Sequence, residues 1–379
     1  MPLDATAESG NHARMTDRWI LGTMTGTSLD ALDISLVRVK GQGLESRAEI
    51  KRHATHDLGD VRDRLRAACN GSPLSARDWA ALALDFGCLH ASAMKSLAGD
   101  QRIDLAAVHG QTVVHAPPLS WQMVNPWPIA HALQCPVVSD LRGADLAADG
   151  QGAPITPLAD WILFRHHDPT AVINLGGFCN MTWLASEAAG PQTTRGADIC
   201  PCNHLLDAAC RIALGQPFDR NGDVALSGKA DETAMADLMN VLRRATNLGR
   251  SLGTGDEGME WIDRTAKNLA PAVLLATVAR AVGTHIGQTA MASSSKPRRV
   301  VIAGGGARNR ALREAIATAI APVRLCESTE FGVPNEARES AEIAILGALA
   351  WDGIEITLDH ITGRRANPIR HGQWCLPKP

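Results

Sequence analysis

The chain reads as a duplicated α/β protein with a ligand cleft between its halves. Three observations predict this. Stretches rich in Val, Ile and Leu alternate with segments whose apolar residues fall at helical spacing. Each half opens on a strand, a Gly-containing turn and a second strand: "ILGTMTGTSLDALDISLVRV" from Ile20 and "TAVINLGGFCNMTWLAS" from Thr170. A third glycine turn, Gly304–Gly306, also follows a strand, and ligands in α/β folds gather where strands end in such turns.

In order along the chain, "MPLDATAESGNHARMTDRW" has no apolar core. It reads as a frayed tail to about Thr16, not a secretory signal. "WILGTM" and "ALDISLVRV" are strands around the first turn. That turn has three open readings: an ordinary hairpin, a calcium loop whose oxygens miss the EF-hand positions, or a phosphate cradle of N–H groups and hydroxyls with a carboxylate for Mg²⁺. "LSARDWAALALDFGCLHASAMKSLAG" has helical spacing, and "LAAVHGQTVVH" reads as a buried strand running into His109, Gly110 and Gln111 at its end. "CPVVSDL" is a short strand, and "GADLAADGQGAPITP" reads as a crossing between domains.

In the second half, "NHLLDAACRIALG" is a helix stopped by Gly215. "PAVLLATVARAVGTHIGQTAMAS" is a long helix that Arg280 and His285 disqualify as a membrane span. "RRVVIAGGGARNRALREAIATAI" is strand, turn and helix, and "ESAEIAILGALAW" is a last helix.

Composition bounds the function. A length of 379 residues suggests two domains, and 45% hydrophobic content suits a globular protein with sizeable cores. With 37 basic against 40 acidic residues, nucleic acid and acidic membranes are not expected partners. The chain has no Tyr and few Phe, which argues against base-stacking platforms. Nine dispersed Cys point to a reducing, cytoplasmic setting. P-loop, G-x-G-x-x-G, protein-kinase and zinc signatures are absent.

The strings "MTGTSLDALD", "AVHGQTVVH", "VVSDLRGADLAADGQGAPITP", "INLGGFCNMTWL", "ADICPCNHLLDA", "VVIAGGGARN" and "ITGRRANPI", in this order, resemble the anhydro-N-acetylmuramic acid kinases. The resemblance runs from about Trp19 to the C-terminus. It implies two RNase H-like domains of the actin-like ATPase fold around an interdomain cleft. The implied bounds are 18–141 with 351–379, and 142–350, after a disordered tail of residues 1–17. It further implies ATP and Mg²⁺ as cofactors, a homodimer, and a role in recycling cell-wall sugars. The implied reaction hydrolyses a 1,6-anhydro bridge and phosphorylates the freed O6.

Carried onto this sequence, Gly26, Thr27, Ser28, Leu29, Asp30, Ala31, Leu32 and Asp33 match the first nucleotide motif, with Asp30 placing Mg²⁺. Gly176 and Gly177 match a second phosphate-facing turn. Gly304, Gly305, Gly306 and Asn309 would lie near the adenosine. His109, Gln111, Gln151, Gly152, Asn180 and Glu339 would face the sugar. Asp198 matches the general base, which takes a proton from water attacking an oxocarbenium-like C1. Its plain structural role would be a helix N-cap or a loop carboxylate.

Three departures from the family pattern stand out. Cys200 and Cys202 replace glycines beside Asp198, so side chains stand where the pattern has bare backbone. "WQMVNPWPIA" lacks an aspartate of the pattern, and Asp256 replaces an arginine able to clamp a carboxylate. These departures leave a neutral anhydrosugar such as levoglucosan, a conventional sugar, or a non-catalytic binding role as the alternatives.

Overall fold

The computed structural model describes residues 17–26, 28–247, 258–365 and 369–377. The first half contributes β1 (Arg18–Met24), β2 (Leu32–Lys40), β3 (Arg47–His56), α1 (Val61–Cys69), α2 (Ala76–Ala98) and β4 (Leu105–Val108). Next come β5 (Gln111–Ala116), β6 (Leu119–Met123), α3 (Trp127–Leu133), β7 (Val137–Ser139), α4 (Gly143–Ala147) and α5 (Pro157–Phe164). The second half contributes β8 (Thr170–Leu175), β9 (Phe178–Leu184), β10 (Arg195–Pro201), α6 (Asn203–Leu214), α7 (Asp223–Ser227), α8 (Glu232–Asn247), α9 (Met259–Thr265) and α10 (Pro271–Met291). It continues through β11 (Arg299–Ala303), α11 (Arg310–Ile320) and β12 (Arg324–Glu327) to α12 (Arg338–Trp351), α13 (Asp359–Thr362) and β13 (Gln373–Cys375).

The two main sheets repeat one plan. The first runs β3-β2-β1-β4-β7, with β13 added at the edge, and the second runs β10-β9-β8-β11-β12. In each, the first three strands of the half form an antiparallel meander and the next two lie parallel to the first strand of the half. This is the duplicated RNase H-like α/β architecture expected from the strings.

Each sheet has an outer core and shares a central one. Leu21, Ile34 and Val108 pack with α1, α2 and α3. Ile173, Ile302 and Cys200 pack with α6, α8, α10 and α11. Between the sheets, Ile20 and Leu105 from one side and Val172 and Val301 from the other meet α5 and α12. Strand alternation explains this, because neighbouring residues such as Ile20 and Leu21 face opposite layers.

Helix α12 is apolar on almost every side and buried along nearly its whole length, as a helix between two sheets must be. It crosses β1 at Gly22, where a Cβ would collide with the Ser340 carbonyl. The sequence reading grouped residues 338–350 with the second domain, yet α12 packs on β1, β2 and β4 of the first sheet. The buried strand that runs into His109, Gly110 and Gln111 is β4, which ends at Val108; Gly110, at φ +76°, turns the chain, and β5 leaves the sheet to pair with β6.

Candidate active site

The parallel strands β1, β4, β8 and β11 all end at the same side of the molecule, and the candidate residues gather there. The turn after β1 closes through the Leu29 N–H donating to the Gly26 carbonyl at 3.1 Å. Leu29 (φ +56°) and Leu32 bury their side chains in the first core, so they offer the cleft only backbone. That anchorage turns Ser28 and Asp30 outward, where both are exposed. Arg62 pins the turn by donating to the Leu29 carbonyl at 3.2 Å and the Asp30 carbonyl at 2.8 Å. Thr27 lies outside the described residues.

Asp30 lines a cavity of about 480 Å³ together with Asn203, Asp207, Gly305, Gly306 and Asn309. The first turn therefore meets the third across the cleft. Gly305 has nothing within 4 Å of the position a Cβ would take, which leaves its backbone open to a ligand. Gly306 is pressed between Asn203 and the Leu175 carbonyl, 2.8 and 2.9 Å from that position. Gly304, at φ +85°, packs against Asn174 and Leu175. Asn309 caps α11, its Oδ1 accepting from the Leu312 N–H at 3.0 Å. Gly176 and Gly177 accept from the first N–H groups of α6 (Asn203 at 3.0 Å, His204 at 3.2 Å), so their carbonyls face that helix. A larger hollow, of about 1250 Å³, opens at the opposite ends of β1 and β4, around Arg18 and Asp104.

Asp207, on α6, was not singled out from the sequence. Burial pushes its carboxyl up to about 6; Arg211 opposes this and the charge of Asp30 adds to it. Two carboxylates facing each other from opposite halves are the hard oxygen donors that suit Mg²⁺, and a cation between them would relieve their repulsion.

A second group lies on the second sheet. Asn174, Asn180 and Asp198 are cross-strand partners in one row over β8, β9 and β10, so their side chains share a face. Asn174 Nδ2 donates to Glu339 Oε1 at 3.1 Å. Glu339, on the first turn of α12, is raised above the usual carboxylate range by burial; Arg338 and Asn174 oppose this, and Asp33 of β2 adds to it. Glu339 thus sits between the two sheets. Asp33 is itself raised, chiefly by burial, and its Oδ1 accepts from Thr55 Oγ1 at 2.7 Å.

A bulge after Asp198 decides where the two cysteines point. Cys200, not Ile199, stands opposite Cys179, so the chain flips between Asp198 and Cys200. Asp198 stays on the row, while Ile199, Cys200 and Cys202 are fully buried in the second core. Neither cysteine has a left-handed φ. Burial drives the Cys200 thiol well above its usual range and the Cys202 thiol up to about 12. The cysteines therefore fill core, on the side of the strand opposite Asp198.

Arg142 was also missed. Its Nη2 meets His109 Nε2 at 3.0 Å, and its Nη1 donates to the Gly152 carbonyl at 2.7 Å. His109 Nδ1 faces the Gly110 carbonyl at 2.9 Å, which fixes the tautomer: Nδ1 carries the proton and Nε2 accepts. Burial first and Arg142 second push His109 down to about 3, so it is neutral. Burial lowers Arg142 to about 10, while Asp198 and Asp140 hold it up. Gly152, at φ +65°, also donates its N–H to Asp145 Oδ2 at 2.8 Å. Gln151 is exposed beside it. Gln111 turns to the other side of β5, toward Cys69 of α1. Asp256 lies outside the described residues.

A family model described as anhydro-N-acetylmuramic acid kinase matches residues 18–371. The chain belongs to that family. A relative of that name from Bordetella pertussis is 35% identical over 96% of this chain and 97% of its own length. Others from Acidiphilium cryptum and Salinibacter ruber are 33% and 30% identical, over 95% and 97% of this chain and 98% of each relative. A solved structure, the activator of 2-hydroxyisocaproyl-CoA dehydratase from Clostridium difficile, aligns with 88% of this chain and 96% of its own at 13% identity and a TM-score of 0.47. The kinase family is thus established by nearly full-length relatives, and the topology by the two sheets themselves.

Proposed function

We propose that this kinase opens the 1,6-anhydro bridge of 1,6-anhydro-N-acetylmuramic acid and transfers the γ-phosphoryl group of ATP to O6. The observation that carries the reading is the row Asn174–Asn180–Asp198, tied through Glu339 to the first sheet and, at Asn174, packed on Gly304 of the turn that lines the cavity with Asp30. One sugar held against that row faces a base on one side and ATP on the other.

The residues divide the work. Asp198 takes a proton from water as its oxygen bonds to C1 and the C1–O6 bond breaks. The O6 electron pair then forms the bond to the γ-phosphorus, and the bond from that phosphorus to the β,γ-bridging oxygen breaks to release ADP. Atoms balance as anhydrosugar, ATP and water giving sugar 6-phosphate, ADP and a proton. Asn174 and Asn180 orient the sugar beside Asp198. Gly305 brings bare backbone to the nucleotide, Gly306 lets the turn pack on Asn203 and Leu175, and Asn309 holds that turn. Mg²⁺ held by Asp30 and Asp207 would neutralise phosphate charge, the main need of phosphoryl transfer.

The nine cysteines are all free thiols, which supports a cytoplasmic setting. Among the described residues no helix is long and apolar enough to cross a membrane. A homodimer and a place in cell-wall recycling complete the reading, on the strength of the family. The deciding experiment is mass spectrometry of the product from the anhydrosugar and MgATP in ¹⁸O-water. The expected product gains one phosphoryl group and one water, with ¹⁸O at C1. A product with phosphate but no added water would refute bridge opening.

A further inference from the structure

The first two residues of the string "ITGRRANPI" end the short helix α13, far along the chain from the glycine turns. Hydrogen bonds nevertheless lead from it to the site. Thr362 Oγ1 donates to Asp145 Oδ1 at 2.7 Å, and both residues are fully buried. The other oxygen, Asp145 Oδ2, accepts from the Gly152 N–H at 2.8 Å. The Gly152 carbonyl in turn accepts from Arg142 Nη1 at 2.7 Å. Arg142 lies close enough to Asp198 to feel its charge. The backbone follows the same route. The Gln151 N–H donates to the Thr362 carbonyl at 2.9 Å, and the Arg365 N–H to the Ala148 carbonyl at 3.0 Å.

A buried carboxylate needs donors for its oxygens. Asp145 finds one on its own loop and one on α13. Arg364, with Nε 3.8 Å from Asp145 Oδ1, adds positive charge. The loop is wrapped tightly around this group: a Cβ on Gly150 would stand 2.1 Å from Asp145 Oδ2. The other side of α13 reaches the second half. His360 Nε2 donates to the Thr194 carbonyl at 2.6 Å, and Thr194 is the residue before β10, the strand of Asp198. One short helix thus grips both the loop that aims Arg142 and the strand that carries Asp198.

We propose that α13 is a strut that sets the spacing of Arg142 and Asp198, with Thr362 and His360 as positioning residues for the reaction. The inference rests on the kinase reading above and deepens it. Thr362 is fully buried, so it acts through Asp145 and not by contact with a ligand. Without its hydroxyl, Asp145 Oδ1 loses this donor, the Gly152 carbonyl loses its fixed place, and the guanidinium it holds shifts. A small shift beside reacting groups slows the reaction while nucleotide binding is untouched.

The test is a double-mutant cycle on kcat/KM for the sugar, using the full chain, MgATP and 1,6-anhydro-N-acetylmuramic acid. Thr362→Val keeps the shape and removes the hydroxyl. It is expected to lower kcat/KM about tenfold and leave the ATP KM unchanged. Thr362→Ser keeps the hydroxyl and should stay within about twofold of wild type. In an Arg142→Met background, Thr362→Val should cost less than about twofold, because the cation it places is already gone. Loss of packing alone would cost the same in both backgrounds. His360→Ala, on the more exposed arm, runs the same cycle with the same expected pattern should the valine variant fail to fold. A wild-type protein inert on the sugar would sink the kinase reading and this proposal with it. With an active wild type, three results would overturn the strut alone: no loss in Thr362→Val, an equal loss in both backgrounds, or a serine variant as slow as the valine one.

Discussion

Arg142 Nη2 reaches His109 Nε2 at 3.0 Å, and that histidine can only accept there. A neutral imidazole thus orients a cation toward the carboxylate assigned as base. The first prediction follows from this order. Arg142→Met is expected to lower kcat/KM about tenfold or more, because the cation held by His109 and the Gly152 carbonyl beside Asp198 is lost. Arg142→Lys should recover part of that loss. Equal losses in the two variants would show that the charge of Arg142 does not matter.

Asp198→Asn should lower kcat by about 10²–10⁴, the usual worth of a general base. Nucleotide affinity, read by calorimetry with a non-hydrolysable ATP analogue, should stay within twofold. A variant retaining wild-type turnover would remove Asp198 from its role.

Asp207 offers a test in pH. Its carboxyl is raised to about 6 against an ordinary 3.8, so the fold binds its proton more tightly than the unfolded chain does. The sign follows: its stabilising contribution is full below the ordinary value and is lost as pH rises through about 6. Asp207→Asn should therefore raise the Tm of the nucleotide-free protein at pH 8, with no gain at pH 3.5. The same change should weaken Mg²⁺-dependent nucleotide binding. A Tm gain equal at both pH values would contradict the assignment.

Cys200→Gly tests whether the cysteine departures are core residues. Deleting a fully buried side chain and adding backbone freedom should cost about 1–3 kcal/mol in denaturant unfolding. The sugar selectivity of the surviving enzyme should not change. A shift in selectivity without loss of stability would place the thiol in the sugar site after all.

Much of this was legible because it is local. The turn from Gly26 to Asp33, the glycines after β11 and the strand–turn–strand at Asn174 announce themselves by composition and spacing. What was not legible depends on geometry that spacing does not encode. Asp207 is an ordinary helix carboxylate until the cleft brings Asp30 to face it. Arg142 is an ordinary arginine until His109, 33 positions earlier, receives it. Gln111 matches a sugar-facing position of the family motif, but pairing with Met123 sends it toward the helices, beside Cys69 of α1. The bulge at Ile199 is equally silent, yet it decides that Asp198 and Cys200 face opposite ways. A continuous strand would have put both on one face.

Helix α12 touches both sheets, and Gly22 lets it lie directly on β1. Such a helix is an axle shared by two wheels. If the halves swing together on ligands, they must turn about it, since sliding would tear the central core from both sides. Points near an axle travel least. Glu339, on the first turn of α12, would keep its place between Asp33 and Asn174 through the swing.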